Sequence, residues 1–412
     1  MFDFANSSYT TMIVTFAYSV YFVETVVVGG GYDREVGISL WGWSSGLSQG
    51  LVLITAPVLG AVADFSGAKK RFLLVTYLAC VVATACLGFV GPGDVALGIL
   101  LFVFSNVFYS SGENLIAAFL PEIAPRERMG RVSGLGWALG YFGGLASLAL
   151  CFPFLEDGLD AANATSVQIS FVVVGAFFLL AGLPTFLFLR ERASRQALPA
   201  HKGYIAVGFA RVFETLQHVR QYRQLFRFLF VFLSYNCGIY VVVYFANIYA
   251  TVELGMTVTE LLWLFLILQI SGSAGAFVLG VFQDRLSSKF AIQVSLLLWL
   301  VVCVGAYGTQ SKPAFYLIAN VAGLAMGSSQ SAGRALVGTF SPVERCGEFF
   351  GFWGLFWKLS GLVGLPLFGL ASRALGMRNA ILLTGAFFLL GMVGMLWVDE
   401  EEGRRAAAGG TR

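Results

Sequence analysis

Gly60-Ala61-Val62-Ala63-Asp64-Phe65-Ser66-Gly67-Ala68-Lys69-Lys70-Arg71 closes a long apolar segment of this 412-residue chain. A degenerate copy stands 220 positions later, Gly280-Val281-Phe282-Gln283-Asp284-Arg285-Leu286-Ser287-Ser288-Lys289. Gly60, Asp64 and Lys69 map onto Gly280, Asp284 and Lys289. A helix end with glycine, aspartate and then cations, made twice, predicts a membrane protein built from two similar halves. A second repeat agrees with the first. Pro125, Glu127, Arg128, Gly130 and Gly134 recur as Pro342, Glu344, Arg345, Gly347 and Gly351, at an offset of 217.

Hydrophobic residues make up 58% of the chain, charged residues 12%, and the mean hydropathy is +0.79. A soluble protein carries roughly a quarter charged residues, so the lipid bilayer is the solvent here and no nucleic-acid partner is expected. A spanning helix needs about 20 mostly apolar residues. That ruler predicts an all-α integral membrane protein with twelve spans: 4–28, 37–63, 72–90, 95–119, 131–152, 168–189, 226–250, 260–282, 290–308, 314–338, 347–371 and 378–398. Grouped by the repeats, they give a six-helix bundle over 1–189, a linker over 190–225, a second six-helix bundle over 226–398 and a tail over 399–412. The chain enters its first apolar helix almost at Met1, without a basic segment or a small-residue cleavage site, so no cleavable signal is expected. Cys80, Cys86, Cys151, Cys237, Cys303 and Cys346 show no metal spacing and read as small apolar residues. No cofactor or metal is expected.

Placement of Lys and Arg sets the orientation. With both termini inside, twenty of the 26 cations fall on the inner side, among them Arg126, Arg195, Lys202, Arg211, Arg220, Arg223, Arg345 and Arg412. Only Arg34, Lys312, Arg373 and Arg378 fall outside, and Arg334 and Lys358 sit within spans. The loop 153–167 carries Glu156, Asp157 and Asp160 without a cation, as an outer loop should. A bacterial inner membrane with cytoplasmic termini is the expected location. In the linker, Phe209, Val212, Phe213, Leu216 and Val219 recur at helical spacing among Arg211, His218, Arg220 and Arg223. That pattern predicts an amphipathic helix along the inner face, either a tether for two moving halves or a lipid-binding element.

Charges in hydrocarbon cost about 2.5–3.5 kcal/mol each on insertion scales, so they face a cavity or a partner. Helical spacing gathers Asp3, Asn6, Thr10, Tyr21 and Glu24 in span 1, and Asn106, Tyr109, Ser110 and Glu113, beside Asn114, in span 4. Span 7 offers Asn236, Tyr240, Tyr244 and Asn247, and span 10 offers Asn320, Ser331 and Arg334. The resulting site for a small-molecule substrate or a proton comprises Glu113, Arg334, Asn114, Asn106, Asn6, Tyr109, Asn236, Tyr240 and Lys358. Glu113 and Arg334 lie at related depths in opposite halves. Glu113 reads as a proton or amine site and Arg334 as an anion site; a structural ion pair joined by Lys358 is the other reading. Trp353 and Trp357 are the aromatics placed for a pocket. Asp64 and Asp284 have a different task, capping the start of the matching span in the other half, near Gly347 and Gly130. Gly60, Gly280, Lys69, Arg71 and Arg285 complete this gate. Gly136, Gly140 and Gly144 in span 5, with Gly361 and Gly364 in span 11, read as close helix packing.

These residues resemble the major facilitator superfamily. Gly60-x3-Asp64-x2-Gly67-x-Lys69-Lys70-Arg71 is similar to its loop 2–3 signature and residues 280–289 to the loop 8–9 version. Phe65 stands where a basic residue is common, and Ser287 replaces a glycine in the second copy. Three stretches resemble the UMF1 branch, related to the Atg22-like vacuolar effluxers: Asp3-Phe4-Ala5-Asn6-Ser7, Leu120 to Pro125, and Gly130-Arg131-Val132-Ser133-Gly134-Leu135-Gly136-Trp137-Ala138-Leu139-Gly140-Tyr141. The resemblance implies alternating access by two rocking bundles around a central site, and amino-acid export for the vacuolar relatives.

The sequence therefore points to a monomeric secondary transporter of a small amphipathic solute, an amino acid or related metabolite, with Glu113 a candidate for proton coupling. Drug or lipid-like efflux is the alternative within the class, and a non-transporting receptor or scaffold the alternative outside it. No GxxxxGK[ST] loop occurs to bring ATP drive, and no Ser/His/Asp set, metal cluster or paired carboxylates indicate an enzyme.

Overall fold

The computed structural model describes residues 1–156, 158–159, 161–192, 203–217 and 219–408. Asp157, Asp160, Arg195, Lys202, His218 and Arg412, used above for charge placement and helix pattern, lie outside the described residues. Twelve long helices form the two bundles: Phe2–Val28, Arg34–Ser66, Lys69–Cys86, Val95–Ala117, Met129–Cys151 and Ala164–Phe188, then Arg223–Leu254, Val258–Arg285, Ser288–Gly308, Lys312–Phe340, Cys346–Leu375 and Met377–Gly394. They are called the first to twelfth spans below. A linker helix, Tyr204–Gln217, joins the bundles, and a terminal helix, Glu400–Ala407, follows them.

Several spans run about a turn beyond their apolar stretch, because helical hydrogen bonding continues until something stops it. At the end of the second span the stop is Gly67, left-handed at φ 57°; at the end of the seventh it is Gly255 at φ 59°. Only glycine adopts that conformation without a Cβ penalty. The second copy of the opening motif turns differently. There Ser287 is extended and its hydroxyl accepts a hydrogen bond from the Phe290 amide (2.9 Å), capping the ninth span. A serine cap replaces a glycine stop, so Ser287 fits its place.

Eleven of these helices are long and apolar enough to cross a membrane. The tenth, at 29 residues, is long enough but too polar. Every residue from Gly327 to Phe340 is buried, so protein rather than lipid surrounds this part of the helix. The first span is irregular, with wide π-type turns over Thr10–Phe16 and Phe22–Val28, a feature frequent at functional sites.

Each bundle has its own core. Tyr9, Tyr18, Tyr77, Phe102 and Phe171 centre the first, and Phe232, Tyr235, Trp299, Trp353 and Phe388 the second. The bundles meet mainly where the second span packs on the eleventh and the fifth on the eighth. Small residues allow this approach. A Cβ added at Gly60 would overlap the Gly347 carbonyl, one at Gly351 would lie 2.5 Å from Pro57 Cα, and one at Gly134 would overlap the Ala276 carbonyl. Farther along, the same contact is lost. At 100° per residue, Gly42, Gly46 and Gly50 share the face of Asp64, Gly60 and Pro57, yet an added Cβ there meets nothing within 4 Å. Gly369, on the matching face of the eleventh span, is equally open. The second and eleventh spans therefore touch at the end bearing the two aspartates, here called the latch end, and part toward the other.

Candidate functional site

Two pseudo-equivalent aspartate contacts, here called latches, join the halves at the latch end. Asp64 accepts hydrogen bonds from the first amides of the eleventh span, Gly347 (3.0 Å) and Glu348 (2.9 Å). Asp284 accepts from the first amides of the fifth, Gly130 (2.8 Å) and Arg131 (2.9 Å). Free amides and the helix dipole at these starts favour a carboxylate. The latches differ in depth. Asp64, Lys69 and Glu122 are buried together, with Lys69 Nζ 3.3 Å from Asp64 and bridged to Glu122. Glu122 also accepts the Arg192 amide, and Glu191 accepts the amides of Lys69 and Lys70. Burial pushes the Glu191 carboxyl above its usual range, against those two hydrogen bonds. Around the second latch Asp284 is half-buried, and among the described residues Lys289 Nζ donates to the Leu396 and Val398 carbonyls (3.2 and 2.8 Å). Here Glu400 accepts the Lys289 amide as Glu191 does for Lys69. The Glu402 amide bonded to Asp399 holds that carboxyl below its usual range. Arg71 and Arg285 are exposed and form no ion pair among the described residues.

Above the latches, Arg334 does not pair with Glu113. Its Nη1 donates to Asp3 (2.8 Å), its Nε to the Ser133 hydroxyl (3.0 Å) and its Nη2 to the Ser133 carbonyl (2.8 Å), while the guanidinium lies 5.5 Å from the Trp137 ring. Asp3 and Arg334 belong to opposite bundles, so this ion pair is a third link between the halves. Gly136 lies beneath it, where a Cβ would overlap Asp3 Oδ2 and sit 2.5 Å from Arg334 Nη2.

Glu113 lies within electrostatic reach of Lys358, Asp3 and Arg334, and of the Tyr109 hydroxyl. For Lys358, Glu113 is the electrostatic partner. Both are half-buried, and neither has an ion-pair partner within 4 Å among the described residues. Tyr109 accepts from Thr10 (2.6 Å) and stacks on Tyr9 at 4.8 Å. Asn106 donates to Ser48 (2.7 Å), while Asn114 packs on Gly354 with its Nδ2 unpartnered. Asn236 is buried with neither side-chain atom hydrogen-bonded, and Asn6 is buried one turn beyond Asp3. Tyr240 stacks on Tyr244 at 6.0 Å and lies against Gly361. Trp357 lies parallel to Trp137 across the two halves, ring centroids 6.2 Å apart. Trp353 instead packs against Phe232 and Phe350 in the second core.

The description "Vacuole effluxer Atg22 like" belongs to the family that matches residues 25–129 and 124–408. The chain belongs to this Atg22-like family. It is 25% identical over 97% of its length to the uncharacterized MFS-type transporter YxiO of Bacillus subtilis, spanning 94% of that protein. It is 25% identical over 67% of its length to autophagy-related protein 22-1 of Aspergillus fumigatus, of which it spans about half (49%). Among solved structures, the proton:xylose symporter XylE superposes with a TM-score of 0.73 at 16% identity, covering 98% of this chain and 94% of that one. FucP in its outward conformation gives 0.64 at 15% identity, covering 86% and 90%. The fold is that of the major facilitator superfamily, and this Atg22-like protein is a multi-pass membrane protein and a secondary transporter.

Asp3, Ser133 and Trp137 escaped selection as site residues of this Atg22-like transporter. The signal for Ser133 and Trp137 is the stretch Gly130 to Tyr141, whose glycines read as packing alone, and for Asp3 it is the polar face of the first span; Gly136 in fact leaves room for an ion pair. The unequal latches give a stability test. Lys69→Met leaves Asp64 and Glu122 buried without their cation and should cost about 3–5 kcal/mol. Lys289→Met should cost about 1 kcal/mol, the scale of its carbonyl hydrogen bonds. Thermal unfolding in detergent reads both, and equal losses would rule out the buried cluster as a stabilising feature.

Proposed function

We propose that this transporter moves an amino acid or related zwitterionic metabolite by alternating access, with a proton carried at Glu113. The observation behind this reading is the pair Glu113 and Lys358, opposite charges on opposite halves, each facing the other without a closed ion pair. A zwitterion supplies the complement, its ammonium for Glu113 and its carboxylate for Lys358, and charge-assisted hydrogen bonds are the strong ones. The vacuole-effluxer description of the family favours export of such a solute, in keeping with the narrower UMF1 resemblance. Arg334, held by Asp3 and Ser133, is then a closing element whose bonds must part before the latch end opens, along with those of Asp64 and Asp284. Asn6, Asn106, Asn114, Asn236, Tyr109 and Tyr240 supply polar contacts around the solute.

The cation count supports a latch end and both termini on the cytoplasmic side of an inner membrane. A single chain suffices, residues 1–189 and 226–398 rocking as monomer halves about the linker 190–225.

Purified protein in liposomes tests the reading. Along an imposed pH gradient it should accumulate one or a few members of a broad amino-acid panel, and saturably. Inactivity across the panel with uptake of lipophilic cations would reject the zwitterion reading in favour of drug-like efflux, for which the parallel Trp137–Trp357 pair is suited.

A further inference from the structure

The linker helix has three faces. At 100° per residue, Ile205, Phe209, Phe213 and Leu216 fall within roughly 80° of its circumference. They are 69%, 54%, 63% and 48% exposed. A second face packs on protein: Val207, Gly208 and Thr215 are buried, and a Cβ added at Gly208 would meet Val62 at 2.6 Å and Val58 at 3.1 Å. The remaining sector carries Ala206, Ala210, Glu214 and Gln217, all exposed. A water-bathed helix has no use for four large apolar side chains in a row. A helix lying where protein, lipid and water meet needs all three faces.

Its depth agrees. Val58 and Val62 lie eight and four residues before Ser66, roughly 12 and 6 Å into the second span at 1.5 Å per residue. The stripe matches in character the exposed apolar surface of the third and seventh spans, including Leu74, Val75 and Phe230. Arg220 and Arg223, exposed just beyond the helix, supply the cations that suit an anionic headgroup layer.

The same helix touches both partners of the first latch. The Arg211 guanidinium lies 5.5 Å from the ring of Phe65, the residue after Asp64. Arg345 donates from Nη1 to Thr215 Oγ1 (3.2 Å) and pairs through Nη2 with Glu214 (3.2 Å). Arg345 stands two residues before Gly347, whose amide, with that of Glu348, Asp64 holds. We propose that the linker helix is a brace seated in the latch-side leaflet of the bilayer: its apolar stripe enters the lipid, and its protein face steadies the first latch. This holds whatever solute the central site takes.

Spin-label accessibility in nanodiscs tests the seating, in a Cys86→Ser background where the other native cysteines are buried. A label at Phe213→Cys should collide more with oxygen than with nickel-EDDA, while one at Ala210→Cys should show the reverse. Ile205→Cys repeats the test should Phe213 not tolerate a label. Preference for nickel at both faces overturns the proposal. So does shielding of the stripe from both reagents, the mark of a second copy covering it. The brace is tested separately with Phe209→Ser/Phe213→Ser, which keeps the Arg345 contacts. Distances between labels on Arg71 and Val343 should broaden in nanodiscs and stay unchanged in micelles; no change in nanodiscs overturns the brace.

Discussion

Gly60→Ala should shift this transporter toward its latch-open conformation by about 5–150-fold in population. The added Cβ would overlap the Gly347 carbonyl, and because the obstacle is backbone no side-chain rotation relieves it. Overpacking of this kind costs about 1–3 kcal/mol, and each 1.4 kcal/mol is about tenfold in an equilibrium. The cost falls only on the closed latch, since the two spans separate when it opens. Distances between spin labels on Arg71 and Val343, across the halves, read the shift directly. Gly46→Ala is the control: it lies on the same helix face with nothing within 4 Å and should leave the distribution alone. Equal behaviour of the two variants would remove steric closure at Gly60 from the account.

Lys358→Ala should weaken binding of the transported zwitterion by about 10–150-fold, the equivalent of the roughly 1.5–3 kcal/mol in a hydrogen bond to a charged group. An amine analogue lacking the carboxylate should lose nothing, because its partner is Glu113. Glu113→Gln should abolish uptake driven by a pH gradient while counterflow exchange of the same solute continues. Isothermal titration measures the first effect and liposome flux the second. Equal losses for the zwitterion and its amine analogue would show that Lys358 serves structure rather than the solute carboxylate. Unchanged pH dependence in Glu113→Gln would move the proton elsewhere.

Much of the architecture is written locally. Apolar runs near twenty residues long define a span wherever lipid is the neighbour, which is why eleven helices stand out by composition. The tenth is the instructive case: its Ser328, Ser329, Gln330, Ser331 and Arg334 face protein, so lipid never selected for an apolar face there. The internal repeat carries the two-fold plan, since a duplicated bundle repeats its helix ends. Ion-pair partners are another matter. Asp3 and Arg334 are 331 positions apart, and their meeting depends on the rotation and tilt of three helices. Spacing within a span gives the face of a residue but not its partner, so Glu113 and Arg334, level in the repeat, are bound to different neighbours. Trp137 was visible only as part of a motif because nothing in a tryptophan distinguishes cavity from core until the opposing Trp357 is in place.

The two aspartate latches share an ancestry in sequence but not a strength. One sits with a lysine and a second carboxylate in a dry cluster, the other is half-bathed and held by little beyond its two amides. In the proposed opening both pairs of spans separate, and only the Asp64 side exposes a fully buried, ion-paired carboxylate as it does so. Lys69 and Glu122 belong to the same half as Asp64, so their cluster stays with the first bundle while only the Gly347 and Glu348 amides leave the carboxylate.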